Sequence, residues 1–141
     1  MSIRPMSIGD YDDVYRLWVT TPGVGLSDVN DSRDGIARYL KRNPSTCFVA
    51  EEDGQLVGTI LSGHDGRRGF IYHACVAQEA RLTGLGRALV DAVLAALHEE
   101  GITKVALVVF GRNDGGNAFW ERQGFITRPD IIYRNRSLVD T

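Results

Sequence analysis

The segment Arg81-Leu82-Thr83-Gly84-Leu85-Gly86-Arg87 has the makings of an anion site. Glycines let a backbone come close to a ligand and adopt open dihedrals. The first amides of a helix lack internal partners and carry partial positive charge. A helix starts here, because Leu85, Leu89, Ala92, Val93, Ala96 and Leu97 recur at three- and four-residue steps. Helix starts normally draw Asp or Glu, yet Ala80 to Val90 holds no acid and carries Arg81 and Arg87. A bound anion reconciles the cations with the helix dipole. A plain glycine turn with solvated arginines is the alternative. The pattern is not GxxxxGK[ST], and Leu89 stands where a dinucleotide fingerprint needs Gly or Ala. The loop from Val76 to Gly84 is too long for that fingerprint's tight turn, and no acid ends the next strand near Phe110. The phosphates belong to another cofactor.

Other side chains are candidates for acid–base work. Tyr72 and His73 are adjacent in a strand-like run, so alternation sends them to opposite faces unless a bulge intervenes. His73 has the intrinsic pKa of a base, with a packed histidine as the plainer reading. Asp28 and Asp31 would suit a cationic amine, or merely cap turns. Arg67 and Arg68 read as an exposed turn that could grip an acidic substrate. Cys47 and Cys75 have no second pair, which leaves neither a disulfide framework nor a four-ligand zinc site; they read as small buried hydrophobes. His64, His73 and His98 lack metal-ligand spacing, so no metal is expected.

These residues need elements to position them. Ile3 to Met6 reads as a short strand, and Tyr11 to Trp18 as a helix after Asp10. Thr21 to Asp31 is rich in Pro, Gly, Ser, Asn and Asp and reads as a loop. A second helix carries Ile36, Tyr39 and Leu40, and Asn43-Pro44 ends it. Cys47 to Glu51 and Gln55 to Leu61 flank Asp53-Gly54, a strong hairpin signal. Phe70 to Val76 is a third strand of this group. After the main helix, which Gly101 stops, Val105 to Phe110 is a continuous apolar run expected of a strand covered on both faces. Asn113 caps a short helix ending at Gly124, and Ile131 to Tyr133 reads as a last strand.

The chain has 141 residues, 43% hydrophobic and 24% charged, which suits one soluble domain over residues 1–141. Its formal charge of −2 disfavours a non-specific nucleic-acid binder. No apolar run approaches the roughly 18 residues of a membrane span, and the N-terminus has no apolar signal core. A cytoplasmic protein is expected, with neither nucleic acid nor membrane as partner.

Val76 followed by Arg81-x-x-Gly84-x-Gly86 resembles the acetyl-CoA signature of the GNAT family of N-acetyltransferases. The likeness extends to Ile3-Arg4-Pro5, to Asp10, to Phe48-Val49-Ala50-Glu51 with Leu56-Val57-Gly58, and to Asn113 with Glu121-Arg122-Gln123-Gly124-Phe125. Small bacterial members are the nearest in style. The resemblance implies an α/β (α+β) single-domain fold. Its sheet would be mixed and mostly antiparallel, with six to seven strands, splayed central strands and about four helices. It also implies a transfer of acetyl from acetyl-CoA to a primary amine of a small molecule or peptide, by direct attack. The amides of Leu82, Thr83, Gly84, Leu85, Gly86 and Arg87, with Arg81, would cradle the CoA diphosphate. The backbone of Ala74, Cys75 and Val76 would pair with the pantetheine arm, and one of its N–H groups would hold the oxyanion. Asn113 would contact the arm, or serve only as an N-cap.

One position departs from the pattern. Trp120 stands where the family commonly has a Tyr that protonates the leaving sulfur. An indole N–H donates a hydrogen bond but gives up no proton. Tyr72, Tyr133 or water would replace it, and Trp120 reads as a packed aromatic. A non-catalytic acyl-CoA-binding or interaction module is the competing function. Dimers are common in the family, so a homodimer is a further expectation.

Overall fold

A computed structural model describes residues 1–140. The Asp53-Gly54 pair takes positive φ, 52° and 77°, and folds strand β2 (Phe48–Glu52) back onto β3 (Gln55–His64). Strand β1 (Ser2–Pro5) lies outside β2, and β4 (Gly69–Val76) lies beyond β3, all antiparallel. Helices α1 (Tyr11–Val19) and α2 (Arg33–Arg42) fill the connection from β1 to β2. Helix α3 (Leu85–Glu99) then crosses to β5 (Val105–Ala106), parallel to β4, and α4 (Asp114–Arg122) follows.

The sheet separates two apolar layers. On one face Val14, Leu17 and Trp18 of α1 and Ile36 and Leu40 of α2 meet Val49, Leu61 and Cys75. On the other, Leu85, Leu89, Val93 and Leu97 of α3 meet Ala50, Ile60 and Ile71. Each fully buried aliphatic side chain of this kind contributes about 1.5–3 kcal/mol. Caps fix the helix ends. Ser32 Oγ accepts the Gly35 N–H at 3.1 Å, and Asn113 Oδ1 accepts the Gly116 N–H at 2.9 Å. Gly101, at φ 84°, ends α3 as its spacing implies.

Two expectations are corrected. Among the described residues the sheet has five strands rather than six to seven. Ile131 to Tyr133 forms no strand; Ile131 and Tyr133 are 62% and 66% exposed, and no neighbouring strand offers them a ladder. The run from Val105 to Phe110 pairs only through Val105 and Ala106. Beyond them it keeps a strand-like alternation, Leu107 and Val109 half-buried and Val108 and Phe110 exposed. Past Phe70, β4 also leaves the edge of this run unpaired.

Candidate active site

The loop after β4 first forms a short turn, in which the Ala80 and Arg81 amides bond to Ala77 and Gln78. Leu82 then enters the left-handed region at φ 64°, fully exposed, and Gly84 follows at φ 84°. A leucine in that region costs on the order of 1 kcal/mol, a strain typical of ligand-binding turns. Ala88 is the first amide to find a helical acceptor, Gly84 O at 3.0 Å. Among the described residues, the amides from Leu82 to Arg87 have no acceptor. Arg81 Nε lies 3.2 Å from the Val76 carbonyl, and Arg87 reaches Asp91 only at 3.9 Å. Cation and bare amide therefore share one corner, which fits a diphosphate. Gly86 has a packing role as well: a Cβ there would stand 3.1 Å from the Phe119 ring, so this glycine admits α4.

Strand β4 carries a bulge. Ile60 pairs with Ala74 and Ser62 with Ile71, so Tyr72 and His73 together oppose Leu61. The bulge resolves the facing problem. Tyr72 meets the Tyr39 ring of α2 edge-on, and His73 meets Trp18 of α1 likewise, so both side chains point to the α1/α2 face. Ile71, Ala74 and Val76 pack toward α3. The ladder assigns the backbone groups as well. Ala77 N–H bonds to Val57 O at 2.8 Å, which makes Thr59 and Cys75 the next hydrogen-bonded pair. Ala74 and Val76 therefore turn their N–H and C=O groups the other way, toward β5. There β5 has already parted from β4, and a cleft opens at the end where the Leu82–Arg87 amides lie. An extended polar chain can pair with Ala74 and Val76 inside it.

The loop between α1 and α2 spans the mouth of this cleft. Gly25 lies against the Phe110 ring, 3.5 Å from where a Cβ would stand, and Gly23 lies similarly close to Asn113. The loop is pinned by Asp31, which is 8% exposed. Asp31 Oδ1 stands 2.9 Å from His73 Nε2, its Oδ2 accepts the Ser27 N–H at 2.8 Å, and its carbonyl accepts the Tyr11 hydroxyl. Two cavities flank the pin. One of about 870 Å³ opens between α1 and the β2–β3 turn and reaches Ala77 and Arg81. The other, about 350 Å³, lies between α2 and β4 and is floored by Leu61, Asp31 and Tyr72.

The sequence candidates fall into place unevenly. Tyr72 and His73 meet at the bulge, whereas Tyr133 is exposed in the C-terminal stretch and stacks on no ring among the described residues. Trp120 packs between Phe119 and Phe125, with ring centroids 5.0 and 5.2 Å away. Asn113 spends Oδ1 on the helix cap, which leaves Nδ2 to donate. Burial pushes the Cys47 and Cys75 thiols up to about 12, so neither supplies a thiolate near neutral pH. Asp31 carries only the ambiguous signal of an acid in a loop, and Trp18 and Tyr39 carry only helical periodicity; nothing local to them points at β4.

Comparison with known proteins bears on the family and the fold. The Acetyltransferase (GNAT) family matches residues 11–125. Acetyltransferase plu1384 of Photorhabdus laumondii is 33% identical over 99% of this chain and 98% of its own. Acetyltransferase SG1711 of Sodalis glossinidius is 30% identical over 99% and 97%. Among solved structures, Ard1 from Thermoplasma volcanium is 27% identical, covers 89% of this chain and 82% of its own, and superposes with a TM-score of 0.78. The PaiA N-acetyltransferase of Thermoplasma acidophilum, solved with coenzyme A, shares the fold at TM-score 0.74 and 19% identity, covering 86% and 87%. The chain belongs to the GNAT acetyltransferase family and is an acetyl-CoA-dependent N-acetyltransferase.

Proposed function

We propose that the protein acetylates a primary amine of a small molecule or peptide by direct attack. The carrying observation is that the Ala74 backbone groups and the Val76 N–H, left without a partner strand where β5 parts from β4, open beside the bare amides of Leu82 to Arg87, while the Val76 carbonyl accepts from Arg81. In this reading those amides and Arg81 hold the CoA diphosphate. Ala74 and Val76 align the pantetheine arm, with Cys75 between them keeping its pairing to Thr59, and Asn113 Nδ2 reaches the arm from α4. Acetyl-CoA supplies an activated acyl group on a thiol leaving group.

The chain's own groups manage the charge. Asp31 fixes the His73 tautomer by accepting its Nε2–H, which leaves Nδ1 to take the proton the amine loses. The Ala74 N–H, next to the bulge, stabilises the negative charge that develops on the acyl oxygen. Such a donor is worth on the order of 100-fold. The carbon–nitrogen bond forms as the carbon–sulfur bond breaks. Tyr72, 57% exposed on the His73 face, returns a proton to the sulfur, the task Trp120 cannot perform. No acyl-cysteine forms, since both thiols stay protonated. A homodimer completes the reading, because it would cover the exposed Ile131, Ile132, Leu138 and Val139.

The test is thiol release from acetyl-CoA across a panel of amines. Release that needs an amine, and that falls on the order of 100-fold or more in His73→Gln, supports the reading. Binding of acetyl-CoA without release for any amine overturns it.

A further inference from the structure

The cavity between α2 and β4 bears on which amine is accepted. It has a volume of about 350 Å³ and lies beside the bulge that carries His73. Arg38 and Arg42, one turn apart on α2, stand on its outer wall. Neither takes part in an ion pair among the described residues. Among the described residues Asp31 is the one acid on its lining, and both its carboxylate oxygens are committed, to His73 and to the Ser27 amide. The charge left unanswered in this cavity is therefore positive, in a chain whose formal charge is −2. The Tyr39 hydroxyl is buried beside it with no hydrogen-bond partner among the described residues, and the Tyr72 ring stands edge-on to Tyr39.

We propose that the acceptor is an amine that also carries a side-chain carboxylate, seated with that carboxylate on Arg38 and Arg42 and the amine toward His73. This rests on the reading that the amine is acetylated in the adjoining cleft. Guanidinium groups bind carboxylates through paired charge-assisted hydrogen bonds. A polyamine or aminoglycoside would place positive charge against both arginines, with no free acid in the cavity to answer it. Two sources share the required chemistry: a free amino acid with an acidic side chain, and a peptide whose N-terminal region holds Asp or Glu.

The test is steady-state CoA release by the full chain, with acidic amino acids, peptides bearing Asp or Glu near the N-terminus, the Asn and Gln counterparts of each, and polyamines. Acidic acceptors are expected to exceed their Asn or Gln counterparts by about tenfold or more in kcat/KM, one good charge-assisted contact's worth. The Arg38→Ala/Arg42→Ala variant should raise KM for the acidic acceptor by about tenfold or more with kcat less affected, and Arg38→Lys/Arg42→Lys should recover part of the loss. Free amino acids or peptides alone being used identifies the source. Equal use of acidic and amide acceptors, preference for a polyamine, or an equal effect of the double variant on both acceptor types overturns the proposal while CoA release itself continues. Absence of release with every amine overturns the underlying reading together with it.

Discussion

His73 Nε2 and Asp31 Oδ1 stand 2.9 Å apart, joining the β4 bulge to the loop that spans the cleft mouth. Asp31 is itself held by the Ser27 N–H at 2.8 Å. In the proposed mechanism these are the base, its orienting acid and the acceptor loop, so disturbing Asp31 should disturb His73.

Asp31→Asn separates these roles. The amide oxygen can keep the Ser27 bond, but the amide nitrogen then faces His73 Nε2 as a donor. His73 must accept there and carry its proton on Nδ1, where the substrate proton needs to go. A fall in kcat of about 10–1000-fold is expected, with KM for acetyl-CoA changed little, read from initial rates. An unchanged kcat would assign His73 to packing alone.

Arg87→Glu tests the anion corner against the helix itself. An acid in the first turn of α3 suits the helix dipole, although it loses the long contact to Asp91 and faces that acid one turn on. Thermal stability should therefore stay within about 1 kcal/mol of the parent. Acetyl-CoA affinity measured by calorimetry should drop about tenfold or more, since one cation beside the diphosphate becomes an anion.

The cysteines give a labelling prediction. Burial holds both thiols near 12. A disulfide reagent at pH 7.5 should titrate neither in the native protein and both of the chain's 2 cysteines after unfolding. Rapid native labelling with loss of activity would reopen a cysteine nucleophile.

Acid should loosen the N-terminal edge. Asp10 accepts the Arg4 guanidinium at 2.8 and 2.9 Å and the Ser7 N–H at 2.9 Å, and Arg4 also holds Glu51 at 2.7 Å. The Arg4 bonds, first, and the Ser7 amide hold the Asp10 carboxyl below its ordinary value, against the opposing effect of burial. A depressed carboxyl stabilises the fold above its unfolded pKa of about 3.9 and loses that contribution as pH falls below it. Asp10→Asn should cost about 1 kcal/mol at pH 7, and the gap between its melting temperature and the parent's should narrow as pH falls below about 3.9.

Part of this architecture is legible in the residues alone. The α3 periodicity and the glycines and arginines at its start are local signals, and the corner of bare amides beside Arg81 and Arg87 follows from them. Asp53-Gly54 carries its turn for the same reason. The β4 bulge is not legible in that way, because it is set by register against β3 and leaves Tyr72-His73 looking like ordinary alternation. The Asp31 contact joins residues far apart in the chain, so only tertiary placement reveals it. The apolar run ending at Phe110 suggests burial on both faces. Hydrophobicity cannot report that β4 parts from it after Phe70. Ile131 to Tyr133 has strand propensity without a partner to pair with. The motif points Gly86 toward a ligand and does not reveal that its missing side chain also accommodates Phe119.

Backbone-amide NMR during titration with acetyl-CoA tests the central claim most directly. The amides of Leu82 to Arg87 and those of Ala74 and Val76 should shift saturably and together, while the β1–β2 edge stays still. If those amides hold their positions while another surface responds, the diphosphate does not sit at the mouth of α3.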